Sequence, residues 1–123
     1  MKVDNILIRE VFKTEEYELY FLSLDDRTRI KYDYVIQLMQ VQKIVSEKFV
    51  KKINNAELYE VRVSVGTNEH RTMLVAADNP NFMEATRVVL LNSFLKKDNK
   101  QYKREIEKAR SIIKKIEEDS YEY

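Results

Sequence analysis

The hydrophobic patterning predicts an α+β domain of order β-α-α-β-β-β-α. A small antiparallel sheet is flanked by an amino-terminal strand with a helical hairpin and by a carboxy-terminal helix. Three observations lead there. Residues 58–97 hold three β-type runs, Leu58–Val65, His70–Ala77 and Arg87–Phe94, the first two separated by a Gly-Thr-Asn turn and the last two by a loop with the chain's only proline. Upstream, two capped segments carry apolar residues at helical steps. Downstream, Tyr102, Ile106, Ala109, Ile113 and Ile116 form one apolar stripe with Lys and Arg elsewhere.

Taken in order, Asn5–Phe12 alternates as an opening strand, with Ile6, Ile8 and Phe12 on its apolar face and Arg9 on the other. Thr14 caps a helix whose first turn holds Glu15 and Glu16, where carboxylates complement the helix dipole. Asp25-Asp26 caps a second helix, with Ile30, Tyr34, Leu38 and Val41 as its apolar face, and the two helices are expected on one face of the sheet. Val45–Asn55 reads as a connection containing the Lys51-Lys52 pair. In the next strand Tyr59, Val61, Val63 and Val65 share a core-like face, and Leu58, Glu60, Arg62 and Ser64 share the other. Whether Arg71 lies on the face of Arg62 depends on the turn. A four-residue loop, Gly66–Glu69, puts both on one face, and a three-residue loop separates them. The third strand is apolar on both faces in its middle. Asp98 or Asn99 caps the last helix, and the acidic 117–123 tail offers no helical continuation.

At 123 residues the chain is expected to form a single domain, with a core over 5–113. It has one glycine and no cysteine, which leaves no glycine-rich phosphate loop, disulfide framework or thiolate chemistry. Charges at Lys2, Asp4, Arg9 and Glu10 prevent a signal-peptide apolar core, and no apolar run approaches a membrane-spanning length, so a cytoplasmic location without membrane contact is expected. The net charge of +1 is unevenly spread. Residues 1–42 carry −2, residues 87–116 carry +7 and residues 117–123 carry −4. The basic segment has field to offer a polyanion, although a solvated helix face balanced by the acidic tail has the same composition.

Metalloprotease, Walker, nucleophile-elbow and Cys-His signatures are missing, and the carboxylates lack metal-ligand spacing, so neither a metal nor a cofactor is expected. His70, beside a turn, reads as a surface residue. Lys and Arg within strands are not there for packing. Arg62, Arg71 and Lys96 are placed to converge at one end or face of the sheet, with Tyr102 just beyond. Such a cluster suits a phosphodiester and the charge that develops when it reacts, and a crowded cationic site lowers the pKa of a lysine or tyrosine. Glu60, two residues from Arg62 on the same face, would repel RNA or tie up the arginine.

The series LYEVRVSVGTNEHRTMLVAAD, VVLLNSFLKK and KREIEKA, preceded by FVKKI and IREVFKT, resembles the RelE/ParE/HigB toxin superfamily, and most closely its phage-derived, HigB-like branch. The likeness runs over residues 5–113. It implies a RelE-like fold and a type II toxin that cleaves mRNA on the ribosome without a metal, the ribose 2′-hydroxyl attacking the adjacent phosphate. It implies catalytic roles for Arg71, Lys96 and Tyr102, RNA-phosphate contacts for Arg62 and Lys97 and, with the basic pair of FVKKI, for Lys51 and Lys52. The implied partners are a helix-turn-helix antitoxin, the ribosome and mRNA. At Glu60 ribosome-dependent members often carry lysine. Related alternatives are a ParE-like toxin acting on gyrase and an inactive phage-derived domain that keeps antitoxin binding and co-repression. On this reading Arg71→Ala abolishes toxicity with the fold intact.

Overall fold

The computed structural model describes residues 6–120. Its elements are β1 (Glu10–Lys13), α1 (Glu15–Leu22), α2 (Asp26–Val41), β2 (Val50–Lys52), β3 (Leu58–Val65), β4 (Asn68–Ala76), β5 (Arg87–Leu95) and α3 (Lys100–Ser120). The five strands form one sheet in the order β1-β5-β4-β3-β2. β1 runs parallel to β5, and the other pairs are antiparallel. This mixed α+β architecture is the one expected, and it is consistent with a RelE-like fold.

Local chemistry fixes the helix starts. The Thr14 hydroxyl accepts from the Tyr17 amide and donates to Leu91 O (2.9 Å), so one side chain both caps α1 and ties it to β5. The Asp25 carboxylate accepts from the Thr28 amide at the start of α2. Arg29 then reaches back to the carbonyls of Phe21 and Leu22 at the end of α1, where a cation meets the negative pole of the helix.

Alternation along the strands builds two cores. Val61 and Val63 of β3, Leu74 of β4 and Val88 and Leu90 of β5 pack against Tyr17, Tyr32, Val35 and Met39 of α1 and α2. Leu58, Met73, Leu91 and Phe94 point the other way and meet Ala109 of α3, with Tyr102, Ile106, Ile112 and Ile113 around it. The face assignments read for β3 and the stripe of α3 up to Ile113 are therefore observed. Ile116 lies at the exposed end of that stripe.

Five expectations are corrected. The first strand begins at Glu10, and its phase is reversed: Ile6 and Phe12 are exposed, Val11 packs on the core, and Arg9 is buried at 1% exposure. Asn5 lies outside the described residues. The reversal has a cause. The Arg9 guanidinium donates to the carbonyls of Ala85, Met39, Gln42, Lys43, Phe82 and Met83 and stacks 4.2 Å over the Phe82 ring. In α2 the buried face is Thr28, Tyr32, Val35, Ile36 and Met39, while Ile30 and Tyr34 face outward. Both faces of that helix carry apolar side chains at helical spacing, so periodicity alone could not choose; the Tyr32 hydroxyl, 3.0 Å from Thr72 Oγ1, belongs to the inner one. Part of the connection at residues 45–55 forms β2, paired Lys51 to Glu60. The turn between β3 and β4 has only two residues, with Gly66 at φ +60° supplying the conformation a tight hairpin needs. Finally, α3 continues through the acidic stretch to Ser120; Tyr121, Glu122 and Tyr123 lie outside the described residues.

Candidate functional site

The two-residue turn sets Arg62 directly opposite Arg71, so both arginines lie on the α3 face of the sheet. On that face β3 presents Leu58, Glu60, Arg62 and Ser64 against Val75, Met73, Arg71 and Glu69 of β4. The pairs pass from apolar, under α3, to charged beyond it.

Glu60 Oε2 is the hub. Arg62 Nε donates to it at 2.8 Å, and the Tyr102 hydroxyl donates at 3.3 Å. Arg71 Nε lies 3.1 Å away in an ion-pair contact whose angle falls outside hydrogen-bond geometry. The rest of the Arg71 guanidinium is held by Glu69 Oε1 (3.3 and 3.4 Å) and His70 O (3.0 Å). Glu69 also accepts from Ser64 Oγ at 2.7 Å; that bond, the Arg71 contact and the field of Lys96 hold its carboxyl below the usual range. The Arg71 and Glu60 side chains are 5% and 8% exposed, whereas that of Arg62 is 28% exposed. Arg71 is thus a buried counter-ion behind the site, and Arg62 is its open edge.

A cleft of about 360 Å³ lies over this cluster, lined among others by Lys51, Lys52, Glu60, Arg62, Lys96 and Tyr102. Lys51 enters it from β2, opposite Glu60, and Lys96 from the end of β5, where its amide donates to Glu69 O. Tyr102 comes from the first turn of α3 and is held edge-on against Phe94, with ring centroids 5.4 Å apart. Lys52 lines the cleft, but its ammonium also turns back to the carbonyls of Ala56 and Ile53. Lys97 does not line it; its amide is capped by the Gln101 side chain. Five of the seven expected residues, Lys51, Arg62, Arg71, Lys96 and Tyr102, therefore gather around one carboxylate, whereas the Lys52 ammonium lies over the Tyr59 ring on the other face of the sheet.

Two expectations about chemistry change. Burial first, and then the charge of Glu60, push the Tyr102 phenol above its ordinary value, opposite to the lowering expected from cations alone. Tyr102 is held protonated, which suits a proton donor. His70 is buried, on the opposite face of the sheet from Arg71, with Nδ1 2.8 Å from the Tyr20 hydroxyl. Its place is in the polar layer beneath α1 and α2. The Glu-x-Arg spacing, which puts both side chains on one strand face, led sequence reading to expect Glu60 to tie up Arg62, as it does; that the same oxygen also meets Arg71 and Tyr102 was missed. A larger cavity of about 800 Å³ lies between α1 and α3, walled by Leu19, Tyr20 and Ile112 among others, but the basic cluster is not part of it.

The profile of one family, phage-derived protein Gp49-like (DUF891), matches residues 19–114, more than three quarters of the chain and every element from α2 to β5. The chain belongs to the Gp49-like family. This is a phage-derived family of type II toxin–antitoxin toxins related to RelE and HigB, and it implies an antitoxin partner. Searches of curated proteins and of solved structures give no match. No helix among the described residues is long and apolar enough to cross a membrane. Every cleft-lining residue named above falls within the stretch matched to the Gp49-like family, as does Arg71 behind the cleft.

Proposed function

We propose that this Gp49-like protein is a cytoplasmic mRNA interferase of the HigB-like branch, an endoribonuclease acting on ribosome-bound mRNA without a metal and restrained by a helix-turn-helix antitoxin. The observation that carries the reading is the convergence of Lys51, Arg62, Lys96 and Tyr102 on one cleft, with Arg71 behind it. Transesterification of RNA needs positive charge on the non-bridging phosphate oxygens and a proton for the departing 5′-oxygen. Arg62 and Lys96 are accessible for the first task, with Lys51 of β2 in the same cleft and exposed Lys97 extending the basic surface past the end of β5. Tyr102, protonated and at the wall, serves the second. Arg71 acts from behind by fixing Glu60 and adding its field.

A second reading has its own support. Carboxylates already occupy Arg62 and Arg71, as they would in a domain that no longer cleaves and serves only with its antitoxin in repression. Induction of the wild-type protein and of Lys96→Ala in bacterial cells, followed by mapping of mRNA 5′ ends, separates the two. New ends in translated messages that vanish with Lys96→Ala support the interferase. Growth without new ends supports the second reading, and arrest with DNA damage and intact mRNA points instead to a gyrase-directed toxin.

A further inference from the structure

A carboxylate at the centre of a phosphate-binding cluster calls for a reason. Glu60 sits between Tyr59 and Val61 in a strand that is otherwise well packed, opposite Met73 and close to Leu58. An apolar residue of similar volume would join that cluster. Glu60 neutralises buried Arg71, but replacing a whole buried ion pair by apolar side chains is often neutral or stabilising, so stability alone does not account for the pair.

The arrangement of partners is one-sided. Arg62, Arg71 and Tyr102 all contact Oε2, and no described residue donates to Oε1. Lys51 across the β2–β3 pairing and Lys96 on the opposite wall flank the same carboxylate without bonding to it. A phosphate drawn in by Lys96 and by the more exposed Arg62 would lie beside Glu60, with its ribose in the cleft.

From this juxtaposition of Glu60, its two arginines and Tyr102 in one cleft, we propose that Glu60 is the general base of the RNA cleavage, a role that rests on the interferase reading above. Its Oε1 takes the proton of the ribose 2′-hydroxyl as the O2′–P bond forms. The P–O5′ bond breaks, its electron pair leaves on the 5′-oxygen, and that oxygen takes the phenolic proton of Tyr102. The protonated Glu60 then returns a proton to the Tyr102 phenolate across the short gap that separates them in the resting site. Both groups are restored, and the products are a 2′,3′-cyclic phosphate and a 5′-hydroxyl. Neither a metal nor an outside acid or base is needed to balance the step.

The test uses the purified full chain with a labelled single-stranded RNA, free and as the message on programmed ribosomes. Glu60→Gln keeps the shape of the side chain and removes its basicity. It is expected to lower the cleavage rate at saturating protein by about 10²- to 10⁴-fold, the usual range for a lost acid–base group. RNA affinity measured by fluorescence anisotropy should stay equal or tighten, because a negative charge leaves the cleft. Formate should restore part of the activity of Glu60→Ala and none of that of Lys96→Ala, a response that a purely structural role would not produce. Glu60→Gln cleaving at the wild-type rate overturns the assignment while leaving the interferase reading intact. So does a parallel loss of rate and affinity with no effect of formate. Failure of the wild-type protein to cleave RNA in either setting removes both.

Discussion

Arg71→Ala tests fold and chemistry at once, and its thermodynamic effect can be worked out from the structure. The guanidinium is almost fully enclosed and neutralises a carboxylate that is equally enclosed. Breaking a buried ion pair by deleting one partner costs about 3–5 kcal/mol when the other charge is left alone. Glu60 would keep Arg62 and Tyr102, so the lower end applies, about 3 kcal/mol by the same reasoning. For a domain of this length that corresponds to a fall in Tm of roughly 12 °C. Loss of toxicity in Arg71→Ala therefore does not by itself identify a catalytic residue, whereas the sequence reading expected the fold to be untouched. The assay is thermal unfolding by circular dichroism on wild type, Arg71→Ala, Glu60→Gln and the double variant. Contact between the two groups requires a coupling energy of about 1 kcal/mol or more, with Arg71→Ala costing less once Glu60 has lost its charge. A drop of less than about 3 °C, or effects that simply add, would refute the buried-pair argument.

Three other outcomes follow from the same geometry. Arg9→Lys keeps the charge but offers three donors where the guanidinium reaches six carbonyls. At about 1 kcal/mol per lost bond, a loss of about 3 kcal/mol is expected in chemical denaturation, and an unchanged midpoint would show that those carbonyls are satisfied elsewhere. Tyr102→Phe removes one 3.3 Å hydrogen bond and leaves the ring against Phe94, so the melting temperature should move by less than about 4 °C while cleavage falls about 100-fold or more; retained cleavage would remove Tyr102 as proton donor. Burial lowers the pKa of His70 against the opposing fields of Asp25 and Glu69, so the unfolded chain takes up its proton first. The stability His70 contributes is present above the unfolded value of about 6.5 and is lost as pH falls through the lower folded value. Melting temperatures between pH 7 and 5 should fall for wild type and fall less for His70→Gln, and identical slopes would exclude the residue as the cause.

What was legible in the sequence follows from how strongly each pattern excluded its alternatives. The β3 strand was readable because Val61, Val63 and Val65 at every second position leave no helical reading, and the α3 stripe because its polar face is unbroken. The first strand was misread because hydrophobicity scales place arginine outside, while six backbone carbonyls from two distant chain segments, residues 39–43 and 82–85, converge on Arg9 only in the folded protein. The buried face of α2 was equally hidden, since Ile30 and Tyr34 compete with Val35, Ile36 and Met39 on spacing alone. At the site, the basic residues were found as a set. Glu60 was expected to tie up Arg62, but not to be a partner of Tyr102 as well, because that contact spans 42 residues and depends on how α3 packs across the sheet. The two-residue turn that aligns Arg62 with Arg71 also lay outside the two loop lengths weighed from sequence.

The chemistry of the RNA ends tests the central claim most directly. Purified protein incubated with ribosomes programmed with end-labelled mRNA, its cleavage tested with and without zinc- and iron-directed chelators, should leave a 2′,3′-cyclic phosphate on one fragment and a 5′-hydroxyl on the other, and Lys96→Ala should leave the message whole. Fragments bearing 5′-phosphates, cleavage that stops when the chelators are added, or undiminished cleavage by Lys96→Ala would contradict the assignment of this cleft as a metal-independent nuclease site.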